Sequence, residues 1–496
     1  MGDRMSTSTQ SKSVSFAQTQ PTSLTIFSYA WAMQSLIQLV YFRAWFETGQ
    51  PLGWIFLFFS LAVFLFPGRV RLFAAMVASG LVYYISIWPF VVNHYLGDHL
   101  VAITMLAAAV IVLGKKLLST TPLSDQESED WFDTFAPVAG AIFAFVYFSI
   151  IVSKLNVAFF DLDISCLSGM IEEAEADRPL VKPFLGLFSV EFYFWVFIVA
   201  ETLLPFMLAY KPTRLPAFYF GVPFHILLGL MGHWPFSSFM LTLYILMCMP
   251  MLKDVLRPYI QKIDALRSKL TPWLPGSVLF ALLSGFFLVI AAIGKPSWAW
   301  LLWSVILAAA ILYGMVREHI KNGMFSGTGV SNVWVRKPGW LWVMFVLAIV
   351  NSSGPYLGWK TQTSIGMYSN MRTEGAFNNH YFMPDMPLFG FQDDLVEIID
   401  SNNDEILALK TYPARYGFVG QEHDVYRIYF EFRRTVSTLE DPDLEITYLR
   451  NGEMRTFKRG DEGNVDKDLD KPLPILQAKL QYFRPVFKSE RSYCLH

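Results

Sequence analysis

Eleven apolar runs constrain the fold of this chain more than any other feature. Most are close to the length of a membrane span, and the second, fourth and ninth are short or weak. Crossing a bilayer takes roughly 20 apolar residues, within a range of about 17–25. Only 16% of the 496 residues are charged, against about 25% in soluble proteins. The sequence therefore predicts an all-α polytopic membrane bundle of about 11 spans. The runs lie near residues 24–46, 52–66, 70–91, 99–114, 133–156, 189–209, 214–231, 236–252, 277–294, 298–316 and 339–357.

Lysine and arginine are unevenly distributed over the loops between these runs. The loops after the second, fourth, sixth, eighth and tenth runs carry most of them, and the alternate loops carry few. Because loops rich in lysine and arginine stay in the cytoplasm, we expect the N-terminus inside and the C-terminal tail outside. The ends of the runs at His94, Lys154 and His233 then share the outer face with the tail.

The chain divides into three parts by composition. Residues 1–22 are rich in Ser, Thr and Gln and predict a disordered N-terminal tail. Residues 23–357 hold the apolar runs. Within them, the basic amphipathic stretch 253–272 fits either an interfacial helix on the inner leaflet or a solvated connector. Residues 358–496 are more polar, and we expect a small β-rich domain outside the cytoplasm.

The polar tail carries sequence signals of β-structure. Asn451-Gly452 stands between two runs of alternating polarity, which is typical of a two-residue hairpin turn. Residues 424–434 alternate in the same way and predict another strand. The charged stretch 461–470 is expected to be loose.

Several classes of site find no support in the sequence. Cys166, Cys248 and Cys494 make neither a disulfide framework nor a zinc motif, and Cys248 lies in an apolar run where packing explains it. No phosphate-binding loop, dinucleotide fingerprint, HExxH motif or Gly-x-Ser-x-Gly motif is present, and no metal is predicted. A net charge of −2 without a long basic run gives no reason to expect a nucleic acid partner. The expected partner is the lipid bilayer.

Lys154 is the most informative charged residue of the apolar runs. It stands near the end of the stretch 141–163, just before several acidic residues. An uncompensated ammonium in a membrane costs about 3 kcal/mol or more, so a lysine there is a functional hypothesis by default. Burial disfavours the charged form and can turn a lysine into a general base. The alternative is a lysine that snorkels to the headgroups and has no chemical role.

Other polar residues lie in or beside the same runs. Glu201 must be protonated or paired, and Arg43 and His225 are its candidate partners. A second polar cluster, from Tyr368 to His380, either covers a cavity at the membrane surface or forms a structural turn. The candidate site residues besides Lys154 are Arg43, Asn93, His94, Tyr95, Glu201, His225, His233, Trp234, Asn370, Arg372, Glu374 and His380.

Several short segments of the first half share a likeness to one family. They are Asn93-His94-Tyr95, Val146-Tyr147-Phe148, Ser153-Lys154-Leu155-Asn156, Phe224-His225 and Phe236-Ser237-Ser238-Phe239-Met240-Leu241. Together they resemble the vitamin K-dependent γ-glutamyl carboxylases and the wider HTTM family of bacterial membrane proteins, over roughly residues 20–255. In the carboxylases the lysine segment reads Lys-Lys-Leu-Asp, so Ser153 and Asn156 depart from that pattern.

The resemblance implies a chemistry. Lys154 matches the base that activates reduced vitamin K or another quinol, and His94 matches a histidine that assists at the same site. With O2 as co-substrate, the activated quinol removes a γ-proton from a glutamyl side chain, and CO2 adds to the carbanion. A protein or peptide glutamyl substrate at the outer face of a bacterial inner membrane is also implied.

Two other functions are compatible with the sequence. The bundle could bind or transport a lipid or quinone without turnover, or the protein could be a scaffold whose β-rich tail engages a partner. An enzyme requires Lys154 near His94 in a cavity. A scaffold would hold Lys154 at the headgroups.

Overall fold

A computed structural model describes residues 22–91, 93–270, 276–293, 296–325, 339–367, 369–375, 377–383, 388–413, 422–489 and 491–495. The predicted disordered tail therefore lies outside the described residues, apart from Thr22. Thr22 is buried, and its hydroxyl accepts a hydrogen bond from Thr25 N as the cap of the first helix. Residues 271–272 of the amphipathic stretch and Tyr368 of the polar cluster also lie outside this set.

Each of the eleven apolar runs contains a helix. Within the described residues, six helices are long and apolar enough to cross a membrane, or seven if the bent pair Trp234–Met247 and Met249–Lys262 counts as one span. The six are Val70–Ile87, Tyr95–Leu118, Asp125–Lys154, Val190–Ala209, Gly276–Ile293 and Trp300–Asn322. These helices favour a membrane protein, and eleven spans stays a prediction. The helix bounds are α1 Ser23–Tyr41, α2 Ala44–Thr48, α3 Pro51–Leu65, α4 Val70–Ile87, α5 Tyr95–Leu113, α6 Asp125–Lys154, α7 Val157–Phe160, α8 Cys166–Asp177, α9 Lys182–Leu185, α10 Val190–Ala209, α11 Arg214–Leu230, α12 Trp234–Met247, α13 Met249–Leu270, α14 Gly276–Ile293, α15 Pro296–Asn322, α16 Val343–Ser352 and α17 Gly354–Leu357.

The loops rich in lysine and arginine meet at one end of the bundle. Arg71, after the second run, donates hydrogen bonds to the carbonyls of Lys116 and Leu117, after the fourth. Lys253, after the eighth run, forms an ion pair of 2.5 Å with Glu129 at the start of α6. These contacts bring together three of the five loops rich in lysine and arginine, and the side of the membrane on which they lie stays a prediction.

Helix α6 carries Lys154 to the opposite end of the bundle. It begins with a capping box, in which Ser124 Oγ accepts from Glu127 N and the Glu127 carboxylate accepts from Ser124 N. This arrangement satisfies two backbone donors that a helix start leaves unpaired. The helix then runs for 30 residues through the core and ends at Lys154. Asn156 caps the short α7 that follows.

The amphipathic stretch after the eighth run is helical. Helix α13 covers 249–270 and is bent by 93° from α12. Its first turns pack on the bundle, since Leu252 and Val255 are buried. The helix is therefore confirmed, and its position on the inner leaflet stays a prediction.

The C-terminal part folds around a small antiparallel sheet of order β2-β3-β1-β4-β5, with β6 beside β3. The Asn451-Gly452 hairpin is confirmed: both residues have positive φ, 51° and 85°, as the two-residue turn requires. The elements of this domain are β1 Leu395–Ser401, α18 Asp404–Leu407, β2 Thr411–Pro413, β3 Glu422–Ile428, α19 Tyr429–Thr438, β4 Glu445–Arg450, β5 Glu453–Lys458, α20 Ile475–Leu480 and β6 Val486–Phe487.

One expectation for this domain is confirmed only in part, and a second is wrong. The predicted strand 424–434 is a strand only as far as Ile428, after which α19 begins, because Phe432 and Val436 reach the core at helical spacing. The stretch 461–470 is not loose. Asp466 is buried and accepts hydrogen bonds from Tyr448 and two arginines, and Leu469 is fully buried.

An extended segment, the described residues of 358–383, lies between the bundle and the sheet. We call it the junction segment. Two strand-like contacts attach it to the chain after α6: Val157 N donates to Asn379 O at 3.0 Å, and Tyr381 N donates to Leu155 O at 2.9 Å. The C-terminal part of the chain is thereby held against the Lys154 end of the bundle.

Candidate functional site at the Lys154 end of the bundle

Lys154 forms an ion pair with Glu201, which lies in the middle of α10. The two side chains are only 3% and 9% exposed, and Lys154 Nζ lies 5.4 Å from the ring centroid of Phe159. The charges compensate each other inside the bundle, where an isolated ion is costly. The snorkelling alternative is wrong, because the ammonium is buried. The expected partners of Glu201, Arg43 and His225, are wrong as well.

A small cavity lies beside the ion pair. It measures about 20 Å³ as space open to the centre of a water molecule, and a buried water needs about 10–15 Å³ by this measure. The cavity therefore has room for one water molecule and not for an aromatic ring. Met170 and Met367 form part of the wall, and methionine side chains change shape readily. The lining residues are Ile150, Lys154, Leu167, Met170, Glu201, Leu228, His233, Phe236 and Met367.

His94 lies next to this cavity without lining it. Its ring centroid is 5.4 Å from that of Phe236, which is a wall residue. His94 is buried, and neither of its ring nitrogens has a hydrogen-bond partner among the described residues. The predicted cavity is shared with the seventh run, through Leu228 on α11, but no lining residue comes from α4, so the expected contribution of the third run is wrong.

His225 belongs to a buried network in the bundle core. Tyr147 Oη makes a hydrogen bond with His225 Nε2 and lies 3.0 Å from Tyr244 Oη. The His225 ring is 5.5 Å from that of Phe236. Phe236, which lines the cavity, thus contacts the rings of both His94 and His225.

Asn93 and Tyr95 have structural contacts. Asn93 Oδ1 accepts from Thr363 N at 2.5 Å, and its amide donates to Gly366 O at 2.8 Å. Asn93 thereby fastens the junction segment to the bundle. Tyr95 is buried, with its ring 5.2 Å from Phe42.

Arg43 and Trp234 lie away from the ion pair. The Arg43 side chain is 42% exposed and pairs with Glu47 at 2.8 Å. Arg178 lies over the ring of the half-buried Trp234, 5.7 Å from its centroid. Neither residue lines the cavity.

Asn370 and Glu374, in the junction segment, hold the tail together. Asn370 Oδ1 accepts from Cys166 N at 2.7 Å, and its amide donates to Ile164 O and Ser492 O. Glu374 and Arg484 form a buried ion pair of 2.6 Å. These contacts match the structural turn that the sequence offered as an alternative to a cavity cover.

Arg372 and His380 are structural too. Arg372 donates to Ser489 O at 2.9 Å. His380 Nδ1 accepts from two backbone N–H groups, so Nε2 carries the proton and donates to Val152 O at 2.8 Å. Burial lowers the pKa of His380, which favours this neutral form. The one residue of the junction segment that reaches the cavity is Met367.

The sequence did not predict three features of this region. Cys166 and Cys494 form a disulfide, so the expectation that the cysteines make no disulfide framework is wrong. Both cysteines lie outside the apolar runs, and this position was the sign of the bond that the sequence offered. Cys248 is buried and free, as expected. Lys360 is 3% exposed and donates to Thr363 O at 3.0 Å. In α5, Asp98 is buried and accepts from a glutamine amide at 3.1 Å.

Within the described ranges, no three His, Cys, Asp or Glu side chains lie close enough together to hold a metal ion. No family model matches the chain, and no curated protein and no solved structure matches it. The fold and the site define a class in physical terms only. It is a mostly helical protein that has, in the described part of the chain, six helices long and apolar enough to cross a membrane. A buried lysine–glutamate pair lies at the end of the bundle to which the β-rich C-terminal part is attached.

Proposed function

We propose that this protein is an integral membrane enzyme in which the Lys154–Glu201 pair takes a proton from a reduced quinone. The observation that supports it most is the ion pair itself, buried beside a cavity. A buried ion pair adds little stability compared with packed apolar side chains. A membrane helix that nevertheless carries a lysine and a matching carboxylate is typical of a proton-transfer site.

The pair can change its protonation state without a change in net charge. A proton that moves from the Lys154 ammonium to the Glu201 carboxylate leaves a neutral amine and a neutral acid. The amine lone pair can then accept a proton from a hydroxyl group in the cavity, which regenerates the ammonium. His233 lines the same cavity and can hydrogen-bond that hydroxyl group. Glu201 would position the amine and hold the proton between turnovers.

The polar residues that line the cavity, Lys154, Glu201 and His233, can form hydrogen bonds with the hydroxyl group of a quinol. The ring system of vitamin K exceeds a space of about 20 Å³, so Met170 and Met367 must move to admit it. When bound, the reduced quinone would supply, after reaction with O2, the strong base that removes a γ-proton from a glutamyl side chain before CO2 adds. The substrate would be a protein or peptide on the tail side of the bundle.

Two arguments support an outer location for this side, with a bacterial inner membrane as the setting. The lysine- and arginine-rich loops lie at the opposite end, which fits a cytoplasmic position for those loops. The Cys166–Cys494 disulfide fastens the tail to the Lys154 end, and disulfides persist outside the cytoplasm.

The proposal is tested by assaying the purified full-length protein with reduced vitamin K, O2, labelled bicarbonate and a glutamyl peptide. Lys154→Ala and Lys154→Arg should both lose activity, because guanidinium stays protonated at any pH below about 12 and cannot act as a base. We expect a loss of about 100-fold or more, the usual range for a general base. Small amines added in solution should partly restore Lys154→Ala.

Lys116→Arg is the matched control. Lys116 also pairs with a glutamate, at 2.5 Å, but its side chain is 58% exposed at the far end of the bundle. This variant should keep full activity. Full activity of Lys154→Arg would contradict the proposal.

A non-catalytic lipid- or quinone-binding or transport protein is the second candidate. The water-sized cavity and the charge-compensated pair favour it, because both are stable without turnover. Quinone binding by the wild-type protein with no labelled product would support this candidate over the enzyme. If the protein were a scaffold, the wild-type protein would show neither quinone binding nor labelled product.

A further inference from the structure

A large groove separates the Lys154 end of the bundle from the C-terminal domain. It has a volume of about 660 Å³, far larger than the cavity beside Lys154. The end of α4 forms one wall, and α19 and α20 form the other. The lining residues are Trp88, Pro89, Phe90, Gln362, Leu409, Tyr412, Arg427, Glu431, Phe432, Arg434, Thr435, Ser437, Thr438, Pro472, Leu473, Ala478, Lys479, Tyr482, Phe483, Arg484 and Pro485.

The groove lies at the level where a membrane span ends. Lys479 Nζ donates to Ser86 O, in the last turn of α4, at 2.7 Å. Phe90, on the groove wall, is 62% exposed. On the neighbouring α20, Ile475 and Leu476 are 80% and 74% exposed. Exposed aromatic and aliphatic side chains beside a span end are typical of the boundary between lipid tails and headgroups.

The groove carries more positive than negative charge. Arg434 and Arg484 are each paired with a glutamate. Arg427 instead donates to Leu409 O at 2.8 Å, and Lys479 donates to a carbonyl. Neither of these two cations forms an ion pair with a carboxylate in the described part of the chain. The Glu431 carboxylate also attracts Arg427. Because four cations and this one carboxylate line the groove, an excess of positive charge is left to attract an anion.

Apolar surface continues from the groove down the bundle. On α4, Val82 and Ile85 are 52% and 41% exposed. A ligand with one anionic phosphate and long apolar chains matches both surfaces at once. A soluble acidic peptide matches only the charges.

We propose that the groove is a binding site for the headgroup of an anionic phospholipid. The phosphate is held between Arg427 and Lys479, and the acyl chains lie along the exposed face of α4. Because the groove contacts both the bundle and the C-terminal domain, the bound lipid ties the domain to the membrane surface. This proposal is independent of the chemistry at Lys154.

Native mass spectrometry of the full-length protein in detergent tests it. Dioleoyl phosphatidylglycerol should remain bound at concentrations where dioleoyl phosphatidylcholine does not. Arg427→Gln/Lys479→Gln should weaken phosphatidylglycerol binding roughly tenfold to thirtyfold, as expected for two cations near a lipid headgroup. Lys410→Gln is the matched control, because Lys410 also donates to a carbonyl, at 3.0 Å, but does not line the groove.

A photoreactive phosphatidylglycerol gives a second measurement that needs no variant. In the wild-type protein it should crosslink to peptides that contain Phe90, Lys479 or Tyr482. Crosslinks elsewhere, equal binding of the two lipids, or unchanged binding by the double variant would overturn the proposal. Displacement of the lipid by a polyglutamate peptide would also overturn it and assign the groove to acidic peptides.

Discussion

Lys360 is a buried cation at the foot of the junction segment. Its ammonium donates to the carbonyl and hydroxyl oxygens of Thr363, at 3.0 and 3.3 Å, and lies 4.9 Å from the ring centroid of Trp359. Among the described residues, no carboxylate forms an ion pair with it. Desolvation lowers the pKa of Lys360 from 10.5 to about 7. The residue therefore titrates near neutral pH in the folded protein and near pH 10.5 in the unfolded chain.

The stability of the protein should consequently rise with pH above about 7. Between pH 7 and 10.5 the unfolded state binds the proton of Lys360 more than the folded state does, so the free energy of unfolding increases by at most about 1.4 kcal/mol per pH unit. Below pH 7 both states carry the charge, and the destabilisation is fully present. Melting temperatures in detergent from pH 6 to 9 measure this slope. The melting temperature of wild type minus that of Lys360→Met should increase as the pH rises. A difference that does not change with pH would contradict the prediction.

Asn156 joins three elements of the structure, namely α6, α7 and the junction segment. Its Oδ1 accepts from Phe159 N at 2.9 Å and caps α7. Its amide donates to Ser153 O, at the end of α6, and to Ser369 O in the junction segment. An asparagine does this because it carries a donor and an acceptor on one side chain.

Asn156→Asp should therefore destabilise the junction. The carboxylate can still cap α7 but faces two carbonyl oxygens without a proton to donate. We expect a loss of about 1–3 kcal/mol, the cost of buried groups left without partners. Differential scanning fluorimetry of the purified protein measures it. Asn378→Asp is the control. Asn378 is half-buried and its amide donates to Met383 O in an exposed hydrogen bond, so this variant should melt close to wild type.

Local elements could be predicted because their signals are local. The Asn451-Gly452 turn and the helices of the apolar runs depend on residues close in sequence. The change from β3 to α19 at Tyr429 depends on the core instead: the sequence from Tyr429 to Arg434 alternates like a strand, while packing selects a helix. Tertiary contacts override such short patterns.

The candidate site was predictable only in part, for the same reason. Lys154 stood out as a charge in an apolar run. Its partner Glu201 is 47 residues away, and no pattern in sequence chooses it over Arg43 or His225. The cavity wall at Met367 and the contact of His94 with Phe236 likewise arise from packing between distant segments.

At the scale of the whole molecule, the Cys166–Cys494 disulfide closes a loop of 328 residues. Cys494 lies at the end of the chain, and Cys166 begins α8, which lines the cavity. Cys166→Ser and Cys494→Ser should each lower the melting temperature in detergent, by the equivalent of about 2–5 kcal/mol. The double variant should melt with the single ones, because one bond is lost in each case. If the stability lost by the double variant equalled the sum of the two single losses, the two cysteines would stabilise the protein independently of each other.

The final prediction concerns the side of the membrane on which the tail lies. Met454 is 60% exposed on the hairpin of the C-terminal domain, and Leu118 is 93% exposed at the opposite end of the bundle. The native cysteines give little background, since Cys248 is buried and the other two are bonded. A membrane-impermeant maleimide should label Met454→Cys in intact spheroplasts and Leu118→Cys only after lysis.

The two engineered cysteines control for each other, because each side of the membrane has its own reporter. The reverse pattern would place the Lys154 cavity, the groove and the tail in the cytoplasm. It would also leave the Cys166–Cys494 disulfide in a reducing compartment, where such bonds are rare. Reversed labelling should therefore coincide with free thiols at both positions, which mass spectrometry after alkylation detects. Labelling of Met454→Cys in intact spheroplasts together with an intact disulfide would place the tail, the cavity and the groove on the outer side of the membrane.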